Sequence, residues 1–546
     1  MNGELLRAAA STSVLTLASR LLGFLRDALV AHALGAGSTA EAFVVAFRLP
    51  NLFRRLLAEG VLAQGLVPPL VRTATHSGAA VARRRIARWL RHATALGVVF
   101  MLAGPALAPL FVAGLAPGLG SGARPLGDPG TDPRPLAAEL LLTMWPYLAL
   151  SAVTAVLAAG LNARGWFRAV AAAPLILNLA MLGAFLFAPV ADAVGRAHTL
   201  AQAVAAGAVL QVAWLSFAVW RRRRRGGWTD DAPAAEALWS EAAEIDSQPA
   251  SNRSSARGRA RFVVSVLNAS VVQLNLVVAT VVASTLLPGS LAWLYFAERL
   301  VEFPLALIAG GLAAVLLPRL TAPALDRRLW TANVDAALDL TWLVALPAAV
   351  GLTLLATPVV AALFQHGALG SGDALAAAHA LAAFAPGVLP LCVARVLLPA
   401  ALNRVAMRHL LVLGALLPLL HLALILPLAG ALGHVGVALA ATLTGFVQAL
   451  TLLLLLMVSG YVPWVGRQVE AIGRPLLASL VMGVSLAWLL PPEEFWLVAD
   501  HGHRLMTLLV CIAAGLTTYA ITLFLLGWRP SSPRLSANHH LPDSPP

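Results

Sequence analysis

The sequence contains no lysine; all 38 of its basic residues are arginine. Cysteine is nearly absent too, limited to Cys392 and Cys511 inside apolar runs. Two such thiols, without neighbouring ligand types, exclude a disulfide framework and offer no metal-binding spacing. Charge is scarce: 12% of the 546 residues carry it, against about 25% in soluble domains. That is too little to cover a soluble surface of this size. No P-loop and no HExxH segment occurs, so nucleotide-driven chemistry and zincin-type proteolysis lack their signatures. His366, His379, His421 and His434 are scattered without metal spacing and read as packed or interfacial residues. Asp128 and Asp132 lie in a Gly/Pro-rich stretch without partner carboxylates, which is thin support for a lipid-sugar transferase. No metal and no cofactor is expected. A cleavable leader is not evident, because the first apolar stretch, from about Ala8, carries Arg20, Arg26 and Asp27. Met1 is therefore expected to start the mature chain.

Apolar sequence is what the chain has in abundance: 59% hydrophobic residues and a mean hydropathy of +0.81. A bilayer-crossing helix needs roughly 20 apolar residues. About fourteen spans are legible, near 10–35, 40–71, 89–113, 137–161, 168–190, 198–220, 262–287, 291–318, 336–364, 374–402, 409–429, 434–459, 471–490 and 505–528. Proline, glycine and charge separate them. The expectation is an all-α polytopic membrane protein.

Arginine placement orients it. With the N-terminus in the cytoplasm, the inner connections hold Arg72, Arg83–Arg85, Arg164, Arg168, Arg221–Arg225 and most later arginines. The outer ones hold only Arg124, Arg134, Arg196 and Arg504. This bias predicts an even number of spans with both termini cytoplasmic. It also accounts for the net charge of +13, so no nucleic-acid partner is expected. The longest polar insertion, 221–261, opens with five arginines, turns acidic and ends Ser/Arg-rich. It reads as a flexible cytoplasmic linker. Arg221–Arg225 reads first as a topology signal, with anionic-lipid or nucleic-acid binding as the sharper alternative.

The linker divides twelve spans into a lobe at 1–220 and a lobe at 262–460. Two further spans fall in 461–530, and 531–546 reads as a disordered tail. Six spans per half make any repeat parallel. A faint one exists: Phe53, Leu57, Gly60, Leu62, Ala63, Pro68 and Leu70 recur 250 positions later as Phe303, Leu307, Gly310, Leu312, Ala313, Pro318 and Leu320.

The first two spans carry the chemistry. SRLLGFLRD holds Arg20, Arg26 and Asp27; the second span holds Glu41, Arg48, Arg54, Arg55 and Glu59. A charge at mid-bilayer costs at least about 2.5 kcal/mol, so these eight must line water, pair, or sit near an interface. Helical spacing puts Arg20 with Asp27 on one face, and Arg48, Arg55 and Glu59 on another; Arg26 and Arg54 point elsewhere. Five arginines against three acids leave a cationic surplus, and the guanidinium fork suits phosphate. Pro50 can break the second helix where it lines a cavity. In the second half, Gln273 and Asn275 are the polar groups of one span, and YFAERLVEFP adds Glu298, Arg299 and Glu302. Arg395 is expected near the cytoplasmic end.

The stretch from Ser19 to Pro68 resembles the MurJ (MviN) family of lipid II flippases, within the multidrug/oligosaccharidyl-lipid/polysaccharide exporter superfamily. AERLVEFP at Ala297–Pro304, LLP at Leu316–Pro318, LFQHG at Leu363–Gly367 and WPYLAL at Trp145–Leu150 are further likenesses. The resemblance covers roughly 1–530, without most of 221–261. It implies two six-helix lobes around a central cavity, plus two C-terminal helices forming a groove for an isoprenoid tail. It implies lipid II, an undecaprenyl-diphosphate-linked disaccharide-pentapeptide, as the partner, moved from the inner to the outer leaflet of the bacterial cytoplasmic membrane by alternating access. Arg20, Arg26, Arg54 and Arg299 match the family's cavity cations. Asp27, Arg55 and Glu59 match its associated polar positions. Glu41 and Glu298 stand where Asp is common, and Arg48 and Arg395 where Lys is. The membrane potential or a monovalent ion is the candidate driving force, and membrane lipid the surrounding partner. The alternatives are a flippase for another polyprenyl-diphosphate sugar and, less compatible with the cationic surplus, a multidrug exporter.

Overall fold

The computed structural model describes residues 3–55, 61–120, 132–187, 192–224, 271–315, 327–461 and 465–528. Among these there are helices and no strands. Helices and closed barrels are the two solutions that satisfy every backbone group inside lipid. Seven helices build the first lobe: α1 (Gly3–Leu34), α2 (Ser38–Phe53), α3 (Val61–Ser77), α4 (Ala79–Leu115), α5 (Pro133–Asn162), α6 (Phe167–Phe187) and α7 (Ala193–Arg224). The second lobe comprises α8 (Val271–Ala283), α9 (Ser290–Val315), α10 (Arg327–Leu354), α11 (Ala356–Phe364), α12 (Ser371–Phe384), α13 (Val388–Arg404), α14 (Met407–Leu432) and α15 (His434–Val458). Then come α16 (Val465–Leu489), the short α17 (Glu493–Val498) and α18 (His501–Leu525).

Among the described residues ten segments are long and apolar enough to cross a bilayer. Of the four other expected spans, 10–35 and 291–318 carry several charges, and 40–71 and 262–287 lie partly outside the described residues. Counted with the ten, they are consistent with fourteen. The linker expected at 221–261, apart from the end of α7, lies outside the described residues, as do Glu59, Leu57 and 531–546.

Within the first lobe α5 is central, packing on α2, α4 and α7, while α6 packs on α1 and α7. In the second, α15 packs on α13 and α14, and α10 on α16. Large apolar side chains such as Leu102, Val458 and Trp488 remain exposed on outward faces. Lipid tails are as apolar as these side chains, so nothing drives them inward.

The lobes touch through α1 and α2 against α9 and α11. The tightest contact is at the Leu34 end of α1. There the Ala368 amide donates to the His32 carbonyl at 2.9 Å. Gly35 and Gly367 both adopt positive φ, 64° and 61°. A Cβ on Gly35 would lie 2.6 Å from the Ala368 oxygen, and one on Gly367 would lie 2.5 Å from the His32 oxygen. Glycine is required at both positions by conformation and by space. At the same end, the Gly118 amide donates to Ser284 Oγ at 3.1 Å.

Candidate functional site

Between the lobes, along the middle of α1, lies a cavity of about 620 Å³. Among the described residues six arginines line it: Arg20, Arg26, Arg54, Arg55, Arg299 and Arg395. Two carboxylates among those residues accompany them, Asp27 and Glu302. The surplus of four positive charges is larger than the first two spans alone indicate.

Local structure explains how these side chains converge. Pro50 lies inside α2 and, lacking an N–H, cannot complete the helical ladder. The chain widens into a π turn at Arg54–Arg55, a deformation frequent at functional sites. Simple seven-residue spacing fails here: Arg55 and Arg54 both line the cavity, whereas Arg48 does not.

Asp27 is the hub and is fully buried. It accepts from Arg26 Nη2 at 2.7 Å and Nε at 2.9 Å, and from the Tyr295 hydroxyl at 2.8 Å. Arg299 Nε approaches its other oxygen at 3.5 Å. Arg26 donates further to Asn178 Oδ1 at 2.9 Å, and Asn178 Nδ2 donates to the Ser19 carbonyl at 2.9 Å. The amide thus ties α6 to α1 beside the cavity. Arg26 lies over the Phe47 ring at 5.2 Å and Arg299 over Tyr295 at 4.8 Å, contacts that suit a partly desolvated guanidinium. Glu302 is the second hub: it accepts from Arg299 Nη1 at 2.9 Å and from Arg55. Arg54 donates to Asn51 Oδ1 at 2.8 Å. Arg20 is exposed to the cavity and makes no ion pair among the described residues.

The structure corrects several expectations. Arg26 and Arg54 do not point away. The guanidinium arm is long enough to fold back toward a buried carboxylate one position along, and Arg54 lines the cavity beside Arg55. Arg395, from the second lobe, lines the cavity as well. Glu41 does not line it: its carboxylate accepts from the Gly289 and Leu291 amides at 2.9 and 3.2 Å, capping the start of α9 from the other lobe. Arg48 and Glu298 pair with each other across the lobes at 3.5 Å, also away from the cavity lining. Both are architectural contacts 250 residues apart in sequence. Glu302, Asn178 and Tyr295 join the site instead. Asn178 was detectable as a lone amide in the otherwise apolar PLILNLAMLG run, where an unsatisfied polar group is costly.

A second cavity, about 660 Å³ and almost wholly apolar, lies against α10, α16 and α18, lined by Pro347, Gly351, Met482, Leu486, Gly515 and Leu516 among others.

Two lobes around a cationic cavity, in a helical membrane chain, define a membrane transporter. The solved structure "Lipid II flippase MurJ, inward closed conformation" superposes with a TM-score of 0.70 at 20% identity, covering 94% of this chain and 98% of that one. An inward-facing multidrug resistance MATE transporter of the MOP superfamily gives 0.62 at 16% identity, covering 82% and 98%; these two establish the fold. The family described as "Lipid II flippase MurJ" matches residues 30–501. "Probable lipid II flippase MurJ" of Vibrio cholerae is 30% identical over 537 residues, 96% of this chain and 97% of that protein. "Lipid II flippase MurJ" of Burkholderia cenocepacia is 32% identical over 408 residues, 72% and 73% of the two chains. The chain belongs to the lipid II flippase MurJ family, and is a multi-pass membrane transporter rather than an enzyme.

Proposed function

We propose that the central cavity captures the diphosphate of lipid II and that rocking of the two lobes carries the head group from the inner to the outer leaflet. The observation behind this is the charge of the cavity, six arginines against two carboxylates among the described residues. Guanidinium donates paired, charge-assisted hydrogen bonds to phosphate oxygens. Arg20, Arg26, Arg54 and Arg299 are the binding cations; Asp27, Arg55 and Glu302 hold their orientation. A multidrug exporter of cationic cargo would be repelled by the same surplus. The isoprenoid tail would stay in lipid, against the apolar groove of α10, α16 and α18. The lobes would be 1–220 and 262–460, with 461–530 supplying the groove. Moving a charged head group couples transport to the membrane potential, at about 2.3 kcal/mol per charge per 100 mV.

In the bacterial cytoplasmic membrane, the arginine bias supports cytoplasmic termini. The Leu34 end of α1, where the lobes touch, would then face outward, and the cavity would receive cargo from inside. Complementation tests the function: after depletion of a host's flippase, this chain should restore lipid II to the outer leaflet. Accumulation of a different polyprenyl-diphosphate sugar outside would overturn the cargo assignment.

Orientation has its own test. With Cys392 and Cys511 replaced, single cysteines go in at Ser240 and Gly370. An impermeant thiol reagent applied to intact cells should label Gly370→Cys and leave Ser240→Cys unlabelled. The reverse pattern would invert the topology.

A further inference from the structure

We propose that Arg221 and Arg222, near the end of α7, form with the α5–α6 turn and α1 a binding site for an anionic phospholipid of the cytoplasmic leaflet. A cavity of about 610 Å³ lies there, sharing no lining residue with the central one. Arg168, Arg221 and Arg222 line it, and no carboxylate among the described residues does. Its walls are aromatic: Trp166, Trp214 and Phe217. Arg222 stands over the Trp166 ring at 4.9 Å, and Trp214 Nε1 donates to the Ala169 carbonyl at 2.9 Å, which fixes both indoles as walls. Below the basic rim the lining turns apolar, with Leu15, Leu161, Ala172 and Ala218.

A topology signal requires only arginines in water. A free anion requires only the rim. A cationic rim over an aromatic and aliphatic floor is complementary to a phosphodiester with acyl chains beneath it, and basic pockets between membrane helices on this side take such head groups. The site also backs onto the transport cavity. Leu15 adjoins Thr16, and Ala169 and Ala172 flank Val170 and Ala171, all three neighbours being central-cavity residues. An occupying lipid therefore packs behind the two helices that carry Arg20, Arg26 and Asn178. The assignment of leaflet rests on the proposed orientation, which the Ser240 and Gly370 labelling decides separately.

The test uses the full chain in phosphatidylcholine nanodiscs doped with phosphatidylglycerol, each lipid brominated on its acyl chains in turn. The readout is the tryptophan quenching that disappears on replacing Trp166 and Trp214 with Phe. Brominated phosphatidylglycerol at low mole fraction should quench more than brominated phosphatidylcholine at the same fraction. Arg222→Ala leaves the other four arginines of the run and should weaken the selective component about fivefold, equivalent to about 1 kcal/mol per surface cation. Ala172→Leu with Ala218→Leu fills the floor without changing charge and should abolish it. Equal quenching by the two lipids would overturn the site. So would unchanged selectivity in the double-leucine protein. Displacement by millimolar inorganic phosphate would show a free-anion site and overturn the lipid assignment.

Discussion

Replacing any of the four candidate cargo-binding arginines with alanine should weaken lipid II binding about ten- to a hundredfold, the effect of losing a charge-assisted donor of about 1.5–3 kcal/mol. Arg20 should stand apart from the other three. It makes no ion pair among the described residues, so its alanine variant should insert at near-normal levels and fail in binding. Arg54 donates to Asn51 and shares the cavity with Glu302, so its alanine variant should lose binding with some loss of folded protein. Arg26 and Arg299 both serve Asp27, and Arg299 also serves Glu302. Removing either leaves a buried carboxylate short of a partner, which costs about 3–5 kcal/mol, so the amount of folded protein should drop as well. Adding Asp27→Asn should restore folded protein to the Arg26→Ala variant without restoring binding. Lysine at each position keeps the charge but not the fork, and should recover only part. The measurement is lipid II binding normalised to inserted protein. Normal binding by well-folded alanine variants at all four positions would remove the anion site and the mechanism built on it.

The bilayer made much of this fold readable in sequence. Lipid imposes a minimum apolar length on every crossing helix, so span after span announces itself between prolines and arginines. Charges that break that rule in α1, α2 and α9 are expensive enough to mark the site directly. Other features depend on geometry that no local spacing encodes. Glu41 looks like a cavity charge from its place in α2, yet it caps α9, because Gly289 and Leu291 present their amides to it from 248 and 250 residues away. Arg26 and Asp27 are neighbours on a helix and sit about 100° apart, yet they share one hydrogen-bond cluster because the arginine arm spans the difference. Helical spacing turns Arg54 away from Arg55, yet both line the cavity. Glu302 stands three residues beyond Arg299 in YFAERLVEFP, but its place in the site depends on Arg55, which reaches it from the other lobe. Helical periodicity predicts which residues share a face of one helix; it carries no information about which two helices meet.

Locking the contact between the lobes at the Leu34 end of α1 should stop transport outright. Alternating access requires this contact to part when the cavity turns outward, and here it is closed: the Ala368 amide bonds the His32 carbonyl, with Gly35 and Gly367 allowing the backbones to approach. A backbone N–H···O link holds two chains with Cα atoms roughly 5 Å apart, inside the 4.4–6.8 Å range of a disulfide. Cysteines at His32 and Ala368, with Cys392 and Cys511 replaced, should therefore cross-link on oxidation. A covalent bond exceeds the ~5.5 kcal/mol of differential binding that would swing a two-state equilibrium from 1:99 to 99:1, so cargo should be unable to reopen the locked contact. Flipping should fall to background in the oxidised protein and return on reduction, while lipid II binding from the inner side persists in both. Singly substituted His32→Cys and Ala368→Cys should transport under both conditions, which separates locking from damage at either position. If the fully cross-linked protein still delivered lipid II to the outer leaflet, this contact would not be the outer gate, and the rocking of the two lobes about the cationic cavity would have to be abandoned.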